Sequence, residues 1–398
     1  MNKLITISIL LILFLGDSIL YTLGLKHLGM NLSSFYLNIT PGFFVIVFIF
    51  LISLLQGKLK LKKSEILFLA YAVVYFLVKG FVLHHNLYLA IVFNVFIGPV
   101  LLYVILRNID YPKSKIVNLL IICFFTETFL AIIQRLLGYS FLVMPGLDLI
   151  VEASYQSAEF RSVSMYGHYL QGALIVTVFM SFFYIAKTTF TKKFFLLFLG
   201  FVAILCYNTR SSMAYWGVMI TFLIIQTLFS RDTSRKNRLL CLLYLLGVFI
   251  VISYLISIGW GGRLISLSLF DESSAAVRIS LFDMFNYISL NDMLWGMDLN
   301  NIDLVMRKSE IYIIENYWVI FIFYLGLIPL VFFVIFTVFC LRKIFTRYCL
   351  IQAAVPIISF LLISSTNNSM ATNIPALFIF VLFAHSITLD NKLQIANK

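Results

Sequence analysis

Long apolar runs, separated by short polar loops, make up almost the whole chain. Within each run the apolar residues are continuous and do not alternate with polar ones, so the pattern predicts α-helices and not the strands of a barrel. The runs approach the length of about 20 residues that a helix needs to cross a bilayer. They predict an all-α polytopic membrane protein of about twelve transmembrane helices, with spans at Leu4–Gly24, Ile39–Gln56, Ser64–Val82, Leu87–Leu106, Ile116–Leu137, Ser164–Ala186, Lys193–Tyr207, Ser211–Phe229, Leu239–Ile258, Tyr317–Leu341, Leu350–Ser365 and Ala371–Leu389.

The composition supports this class, because 62% of the residues are hydrophobic and 12% are charged. Such a composition excludes a soluble domain. Residues 1–398 are therefore interpreted as a single integral membrane domain. The five cysteines fall within predicted spans or near one side of them, so no disulfide framework is predicted. The chain also lacks a CxxC, HExxH, Walker or dinucleotide-binding motif, and we expect neither a cofactor nor a metal site.

Most of the 29 Lys and Arg residues fall on one side of the predicted spans. Because cytoplasmic loops carry an excess of Lys and Arg, this side is predicted to be the cytoplasm, and both termini lie there. The net charge of +12 is then explained by basic loops that meet anionic membrane lipid, so no nucleic-acid partner is expected.

The longest interruption between apolar runs covers residues 260–316. We predict it to be one large extracytoplasmic loop. Ser273–Phe285 has apolar residues at helical spacing behind possible N-cap residues, which predicts an amphipathic helix that carries Arg278. A turn is predicted at Leu294-Trp295-Gly296, and Glu315 follows where the next span begins.

Several basic residues fall on the other, extracytoplasmic side, and three of them are candidates for one anion site: Arg161, Arg210 and Arg278. Arg210 lies in a hairpin so short that its charge stays near the membrane boundary, where a guanidinium is costly unless it is paired or wet. Arg263 and Arg307 are interpreted as exposed surface residues.

Other polar residues have two interpretations each. His168, seven residues after Arg161, is either a packing histidine or a base. Asp17 and Glu127 lie inside predicted spans, where a buried carboxylate marks either a functional site or a structural hydrogen bond. Trp295 and Trp318 fit an aromatic belt at the interface, but an aromatic face also stacks on sugar rings.

These residues occur in an order that resembles the O-antigen polymerase and O-antigen ligase superfamily. The resemblance covers approximately residues 161–341. It is carried by an ordered set of motifs: Arg161-x-x-Ser-x-x-x-His, Asn208-Thr209-Arg210-Ser211-Ser212, Arg278 ahead of Leu294-Trp295-Gly296, Glu315-Asn316, and Tyr324-Leu325-Gly326. The sequence departs from the family pattern at four positions, of which one is Arg210, since it precedes the serines of its motif. Ser164 replaces a usual Gly, Asp298 replaces the second Gly of the turn, and Glu315 stands where ligases carry a histidine.

The resemblance implies a GT-C-like fold in the bacterial inner membrane. It also implies a metal-independent glycosyltransferase that polymerises repeat units carried on undecaprenyl diphosphate, with lipid-linked glycans as donor and acceptor and a chain-length regulator as a further partner. Glu315 and His168 would be catalytic. Arg161, Arg210, Arg278, Asn316, Tyr166 and Trp295 would bind substrate. Two alternatives stay open: ligation of the glycan to lipid A core, and a flippase or exporter of a lipid-linked glycan.

The predicted orientation is testable by cysteine labelling in a cysteine-free background. Because Ser268 lies in the predicted extracytoplasmic loop and Ser234 in a predicted cytoplasmic loop, a cysteine at Ser268 should react with a membrane-impermeant thiol reagent in cells with a permeable outer membrane. A cysteine at Ser234 should stay unlabelled until the inner membrane is opened. Labelling at Ser234 and not at Ser268 would reverse the orientation.

Overall fold

The computed structural model describes residues 1–23, 39–83, 91–140, 142, 160–230, 233–262, 281–311, 314, 316–366, 368–371 and 375–389. The predicted all-α class is confirmed over these residues, where the only β-type pairing is an isolated bridge between Ala186 and Leu389. The α-helices are α1 Asn2–Phe14, α2 Asp17–Thr22, α3 Pro41–Leu55, α4 Lys63–Leu77, α5 Gly98–Asn108, α6 Lys113–Leu137, α7 Tyr169–Ile185, α8 Phe190–Tyr207, α9 Arg210–Phe229, α10 Arg235–Ser257, α11 Leu290–Trp295, α12 Leu299–Lys308, α13 Tyr317–Leu325, α14 Leu327–Leu341, α15 Leu350–Ser365 and α16 Ala376–Ser386.

Six helical stretches in the described part of the chain are long and apolar enough to cross a membrane: Lys63–Val82, Lys113–Leu137, Phe190–Tyr207, Arg210–Phe229, Arg235–Ser257 and Leu327–Arg347. Six further apolar helices are shorter: Asn2–Phe14, Pro41–Leu55, Val92–Asn108, Tyr169–Ile185, Leu350–Ser365 and Ala376–Ser386. The protein is therefore an α-helical membrane protein by length and composition. Each of these helices overlaps one predicted span.

Helix α7 lies at the centre of the bundle. Every residue from Gln171 to Ile185 is buried, and α6, α8, α9, α15 and α16 all pack on this helix. A helix that is apolar on all faces is stable only where its whole surface is covered. Helix α10 lies at the other extreme, since Cys241 is its only buried residue and its apolar side chains face outward. Those outward faces suit contact with lipid.

Three predicted spans are not continuous helices. The first is broken between α1 and α2, where Gly16 lies against the backbone oxygen of Met165 so closely that a Cβ atom would not fit. The sixth begins as an α-helix only at Tyr169. The tenth is broken at Gly326, which has a φ of +91°. In each case a tertiary contact or a left-handed backbone interrupts an apolar run that is unbroken in the sequence.

The basic loops assigned to one side do meet at one end of the bundle. Arg107 pairs with Glu65 and donates from Nη2 to the carbonyl of Lys60 at 2.6 Å. Lys343 lies within electrostatic reach of Lys62 in the same region. Arg347 donates to the carbonyl of Ala384 at 2.7 Å, and the N–H of Lys187 donates to Thr388 at 2.9 Å. The grouping of these loops on one side is therefore consistent with their contacts.

The described part of the loop 260–316 contains more helices than the sequence predicted. Of the predicted turn at Leu294-Trp295-Gly296, the first two residues end α11 and the chain turns at Gly296, which has a φ of +82°. Helix α12, which the sequence pattern did not predict, is amphipathic and buries Ile302 and Val305. Most of the predicted amphipathic helix, including Arg278, lies outside the described residues. Its last three residues belong to a 3-10 helix at Asp283–Tyr287.

Gly326 holds the α13–α14 break against the turn at Gly296. A Cβ atom on Gly326 would lie 2.5 Å from the backbone nitrogen of Gly296 and 2.6 Å from the carbonyl oxygen of Leu294. The N–H of Met297 donates to the carbonyl of Phe323 at 2.7 Å, which fixes this approach. Backbone therefore contacts backbone here, and neither side has a flexible side chain that could give way.

We expect Gly326→Ala to lower the free energy of unfolding by at least about 2 kcal/mol, because it adds both an alanine at positive φ and a backbone clash. The measurement is thermal unfolding of the purified protein in detergent. Gly217→Ala is the matched control, since Gly217 lies in α9 with nothing within 4 Å of the place that an added Cβ atom would occupy. That variant should be neutral or more stable, as alanine is in a helix. Equal stability of the two variants would contradict the close approach.

Candidate functional site

The segment Phe160–His168 runs into the helical bundle and is largely buried; it has one 3-10 turn at Ser164–Tyr166 and is otherwise irregular. Its polar groups are met from inside the protein. The N–H groups of Val163 and Ser164 each donate to Oε1 of Gln134 at 2.9 Å. The N–H of Ser162 donates to the carbonyl of Cys206 at 3.0 Å. Backbone outside an α-helix is tolerated at membrane depth only where such partners exist. Here α6 and the end of α8 supply them.

The Glu127 side chain on α6 lies at the centre of the contacts that hold this segment. It is fully buried, and its Oε1 accepts a hydrogen bond from the Tyr207 hydroxyl at 2.6 Å. Its Oε2 accepts from the Ser164 hydroxyl at 2.8 Å and from the N–H of Met165 at 3.2 Å. Of its two interpretations, the structure supports the structural hydrogen bond. Glu127 joins α6, α8 and the irregular segment through one carboxyl group.

Ser164 has a φ of +51°, in the left-handed region that favours glycine. This is the position where the resembling family carries a glycine. Here the serine hydroxyl lies 2.9 Å from the backbone oxygen of Glu127 and 2.8 Å from its Oε2. These hydrogen bonds offset the backbone strain, which explains how a serine occupies a position that requires this conformation.

Arg135 anchors the beginning of the segment and was missed by sequence reasoning. Its Nη1 donates to the carbonyl of Phe160 at 2.7 Å, and its Nη2 donates to the carbonyl of Gly259 at 2.5 Å. The guanidinium also lies over the Phe160 ring, 5.5 Å from its centre. The signal in the sequence was a basic residue on the side that has few of them, at the end of a long apolar run.

Tyr166 lies on the inner side of the segment. It is 1% exposed, and its hydroxyl donates to the carbonyl of Leu13 at 3.0 Å. The family resemblance implies that Tyr166 binds substrate. The structure buries the ring and uses its hydroxyl to satisfy the carbonyl of Leu13 near the end of α1, so Tyr166 positions the segment. Its predicted contact with substrate stays a prediction.

Arg161 and His168 lie on the partly exposed side of the segment, on one tyrosine ring. The Arg161 guanidinium lies 4.3 Å from the centre of the Tyr169 ring, and the His168 ring stacks on the same tyrosine with centres 4.3 Å apart. Nδ1 of His168 accepts the N–H of Leu170 at 3.2 Å and so caps α7. Since Nδ1 is an acceptor, the neutral imidazole in this arrangement carries its proton on Nε2, which can donate a hydrogen bond to a ligand.

Arg210 is the first residue of α9, directly after a left-handed turn at Asn208. It follows Cys206, whose carbonyl binds the irregular segment, by four residues. Arg161 and Arg210 are therefore at the same end of the bundle, opposite the basic loops. The next residue, Ser211, is hydrogen-bonded to Thr366 at 3.0 Å, which places the end of α15 beside the start of α9.

Asn316 caps α13. Its Oδ1 accepts from the N–H groups of Trp318 at 2.9 Å and Val319 at 3.4 Å. Trp318 in turn donates from Nε1 to Ser365 at 3.1 Å, so the start of α13 also lies at the end of α15. The substrate role predicted for Asn316 competes with this cap for Oδ1. Glu315, the predicted base, and Arg278 lie outside the described residues.

Trp295 belongs to a different cluster from Arg161 and His168. It ends α11, and its carbonyl accepts from Nζ of Lys79 at 3.0 Å, beside Gly326. Its side chain is 39% exposed. The structure therefore associates Trp295 with the α13–α14 break and with α4. Its predicted contact with substrate stays a prediction.

Comparison of the chain with protein-family models, with curated proteins and with solved structures yields no match. What the protein does is therefore inferred from its own residues and from the resemblance of its motifs. Within the described residues, these give a partly exposed arginine and a neutral histidine on one tyrosine ring, held in place by a buried hydrogen-bonded segment. A second arginine lies at the same end of the bundle.

We expect Ser164→Gly to be less destabilising than Ser164→Ala, the reverse of the usual order. Both variants lose the hydroxyl, but glycine adopts a φ of +51° without the cost of about 1–2 kcal/mol that alanine retains. The measurement is the thermal unfolding midpoint in detergent. A lower midpoint for Ser164→Gly than for Ser164→Ala would show that backbone strain at this position is absent.

Proposed function

We propose that this protein is a glycosyltransferase that polymerises glycan repeat units carried on undecaprenyl diphosphate at the extracytoplasmic face of the bacterial inner membrane. The observation that carries the proposal is the Arg161–Tyr169–His168 group on its buried segment. The order of these residues in the chain, with Arg210 after them, resembles the order of the motifs in the O-antigen polymerase and ligase superfamily. The positive φ at Ser164, where that family carries a glycine, supports the same assignment.

The reaction needs a cation where the diphosphate leaves. The acceptor hydroxyl forms a bond to the anomeric carbon of the donor sugar while the bond from that carbon to the diphosphate oxygen breaks. Negative charge then develops on the departing diphosphate. Guanidinium groups fixed in advance stabilise this charge without reorganisation, and their planar forks match phosphate oxygens. Arg161 is fixed in this way by its stacking on Tyr169, and Arg210 is carried on the first turn of α9 at the same end of the bundle.

The reaction also needs a base, since the attacking hydroxyl loses its proton as the new bond forms. His168 is one candidate: as placed, the lone pair of its neutral ring lies on Nδ1, which releases the N–H of Leu170 in order to take up the proton. Glu315 is the other candidate, carried by the resemblance. The proton passes to one of these two groups, and the polyprenyl diphosphate leaves with the electrons of the broken bond.

The proposed setting is a bundle of twelve spans with both termini in the cytoplasm. The six long and six shorter apolar helices support the number of spans. The meeting of the basic loops at one end of the bundle supports the orientation of the protein in the membrane. Both substrates are lipid-linked and reach the site from the bilayer. A chain-length regulator is the proposed protein partner, and neither nucleic acid nor a metal is required.

Two observations separate this proposal from its alternatives. A flippase or exporter is expected to line a central path with charged groups from several spans. Of the three in-span candidates in the sequence, Asp17, Glu127 and Lys79, Glu127 is occupied by internal hydrogen bonds and Lys79 donates to the carbonyl of Trp295. This favours an enzyme. A ligase of the same superfamily is expected to carry a histidine at the position of Glu315, so the residue type favours polymerisation.

The test is the lipopolysaccharide banding of a strain that lacks this protein and is complemented with variants. We expect the deletion to leave core plus one repeat unit, because polymerisation alone is lost. Arg161→Lys and Arg210→Lys should reduce long chains by about 10²-fold at normal protein abundance, since lysine cannot reproduce the fork. Arg307→Lys is the control, an exposed arginine on the loop helix α12, and should give normal banding. Bare core in the deletion strain would overturn the polymerase assignment.

The same assay assigns the base. If His168 accepts the proton, His168→Gln should abolish long chains while Glu315→Asn leaves them. If Glu315 accepts the proton, the results should be reversed. Glutamine keeps a side-chain oxygen that can accept the N–H of Leu170, so loss of activity in His168→Gln at normal abundance reports on the chemistry and not on the cap. Long chains in both variants would exclude both residues.

A further inference from the structure

A cavity of about 90 Å³ lies beside the last turn of α4, away from the Arg161 group. Its walls are almost wholly apolar. The residues that line it come from α4, the π-helical turn Val78–Val82 that continues it, the end of α11 and the start of α14: Tyr71, Val74, Tyr75, Val78, Lys79, Leu83, Trp295 and Pro329. None of these residues belongs to the group proposed to carry the glycosyl transfer, apart from the predicted contact of Trp295.

Two buried polar groups line this apolar cavity. Lys79 is 1% exposed, and its Nζ donates to the carbonyl of Trp295 at 3.0 Å. An ammonium has three N–H donors, and this bond uses one of them. The Tyr75 hydroxyl is buried and has no hydrogen-bond partner among the described residues. A buried phenol without a partner is uncommon in proteins and suggests that a ligand supplies one.

The cavity opens toward the bilayer. Val74 forms part of its wall and is 54% exposed, and the neighbouring Leu77 and Val82 are also exposed on the apolar outer surface. Lys79 lies 16 residues after the start of α4, about 24 Å along the helix at 1.5 Å per residue. This places it near the end of the bundle opposite the basic loops, just inside the far boundary of a hydrocarbon core of about 30 Å.

We propose that this cavity binds the phosphate of a membrane lipid, with the first carbons of the lipid against its apolar walls. A phosphate oxygen accepts hydrogen bonds from the Lys79 ammonium and from the Tyr75 hydroxyl, which gives the unpaired phenol a partner. The opening toward the bilayer and the apolar lining beside Val74 and Pro329 fit the start of a lipid chain. The inference does not depend on the proposed function, since it rests on a different set of residues.

Asp292 and Asp298 also lie within electrostatic reach of the Lys79 ammonium. Neither residue lines the cavity. Asp292 accepts a hydrogen bond from the Ser289 hydroxyl at 2.7 Å, and Asp298 caps α12 through the N–H of Asn300 at 3.4 Å. Both carboxylates are therefore engaged on the loop side. The cavity side of Lys79 is the side that a lipid reaches.

The test uses the purified full-length protein in detergent, stripped of lipid and then titrated with lipid under native mass spectrometry. Phosphatidylglycerol is the probe, and diacylglycerol, which has the same tails without phosphate, is its matched control. We expect one tightly bound phosphatidylglycerol and no comparable diacylglycerol. Lys79→Met should weaken binding at least tenfold, and Tyr75→Phe severalfold.

A second pair of variants keeps the test independent of folding. Val74→Trp places a bulky side chain at the mouth of the cavity, and Val73→Trp places the same side chain at the neighbouring position, which is 57% exposed and lies outside the cavity lining. We expect Val74→Trp to lose the lipid and Val73→Trp to keep it, with equal unfolding midpoints.

Three outcomes would overturn the proposal. One is unchanged lipid binding in both Lys79→Met and Val74→Trp. Another is equal binding of diacylglycerol, which would remove the role of the phosphate. The last is displacement of the lipid by millimolar inorganic phosphate, because the site would then recognise free phosphate and not a lipid.

Discussion

The hydrogen bonds of the Glu127 carboxyl group are the interaction on which the candidate site depends. Three donors, from Tyr207, Ser164 and Met165, converge on one fully buried side chain. Without these bonds the irregular segment would place unsatisfied backbone groups at membrane depth, where each one costs several kcal/mol. Because the segment is held from its inner side, its outer side is free to carry polar residues in fixed positions. The inner side of residues 160–168 thus stabilises the segment, and the outer side carries the residues proposed to act on substrate.

This difference between the two sides explains the unusual conformations and contacts of residues 160–168. Ser164 accepts a left-handed backbone because its hydroxyl reaches Glu127, and Tyr166 is buried because its hydroxyl satisfies Leu13. Arg161 and His168 stack on Tyr169 instead, and His168 also caps α7. An arginine that is already held in one orientation loses little entropy when it meets an anion, which is the condition for stabilising charge that develops during a reaction.

Two glycines have a comparable role in the region around Lys79 and Trp295. Gly296 and Gly326 bring the loop turn and the α13–α14 break into backbone contact, and this contact sets the carbonyl of Trp295 beside Lys79. A lysine this deep in an apolar bundle is expensive unless the surroundings supply partners. The carbonyl supplies one, and the cavity next to the Tyr75 hydroxyl leaves room for another.

The sequence by itself determined the helical class, the approximate positions of the apolar helices and the grouping of the basic loops, because each depends on local composition and on charge. It also identified Arg161, His168 and Arg210 as residues of interest, since polar groups near apolar runs stand out. Only the tertiary structure decided that Tyr166 points inward, that Arg135 anchors the segment and that Asn316 caps α13. It also decided where apolar runs break, at Gly16 and Gly326, because those breaks are set by backbone from distant parts of the chain. Periodicity describes a helix and its neighbours in sequence, whereas the partner of a buried polar group is chosen by packing.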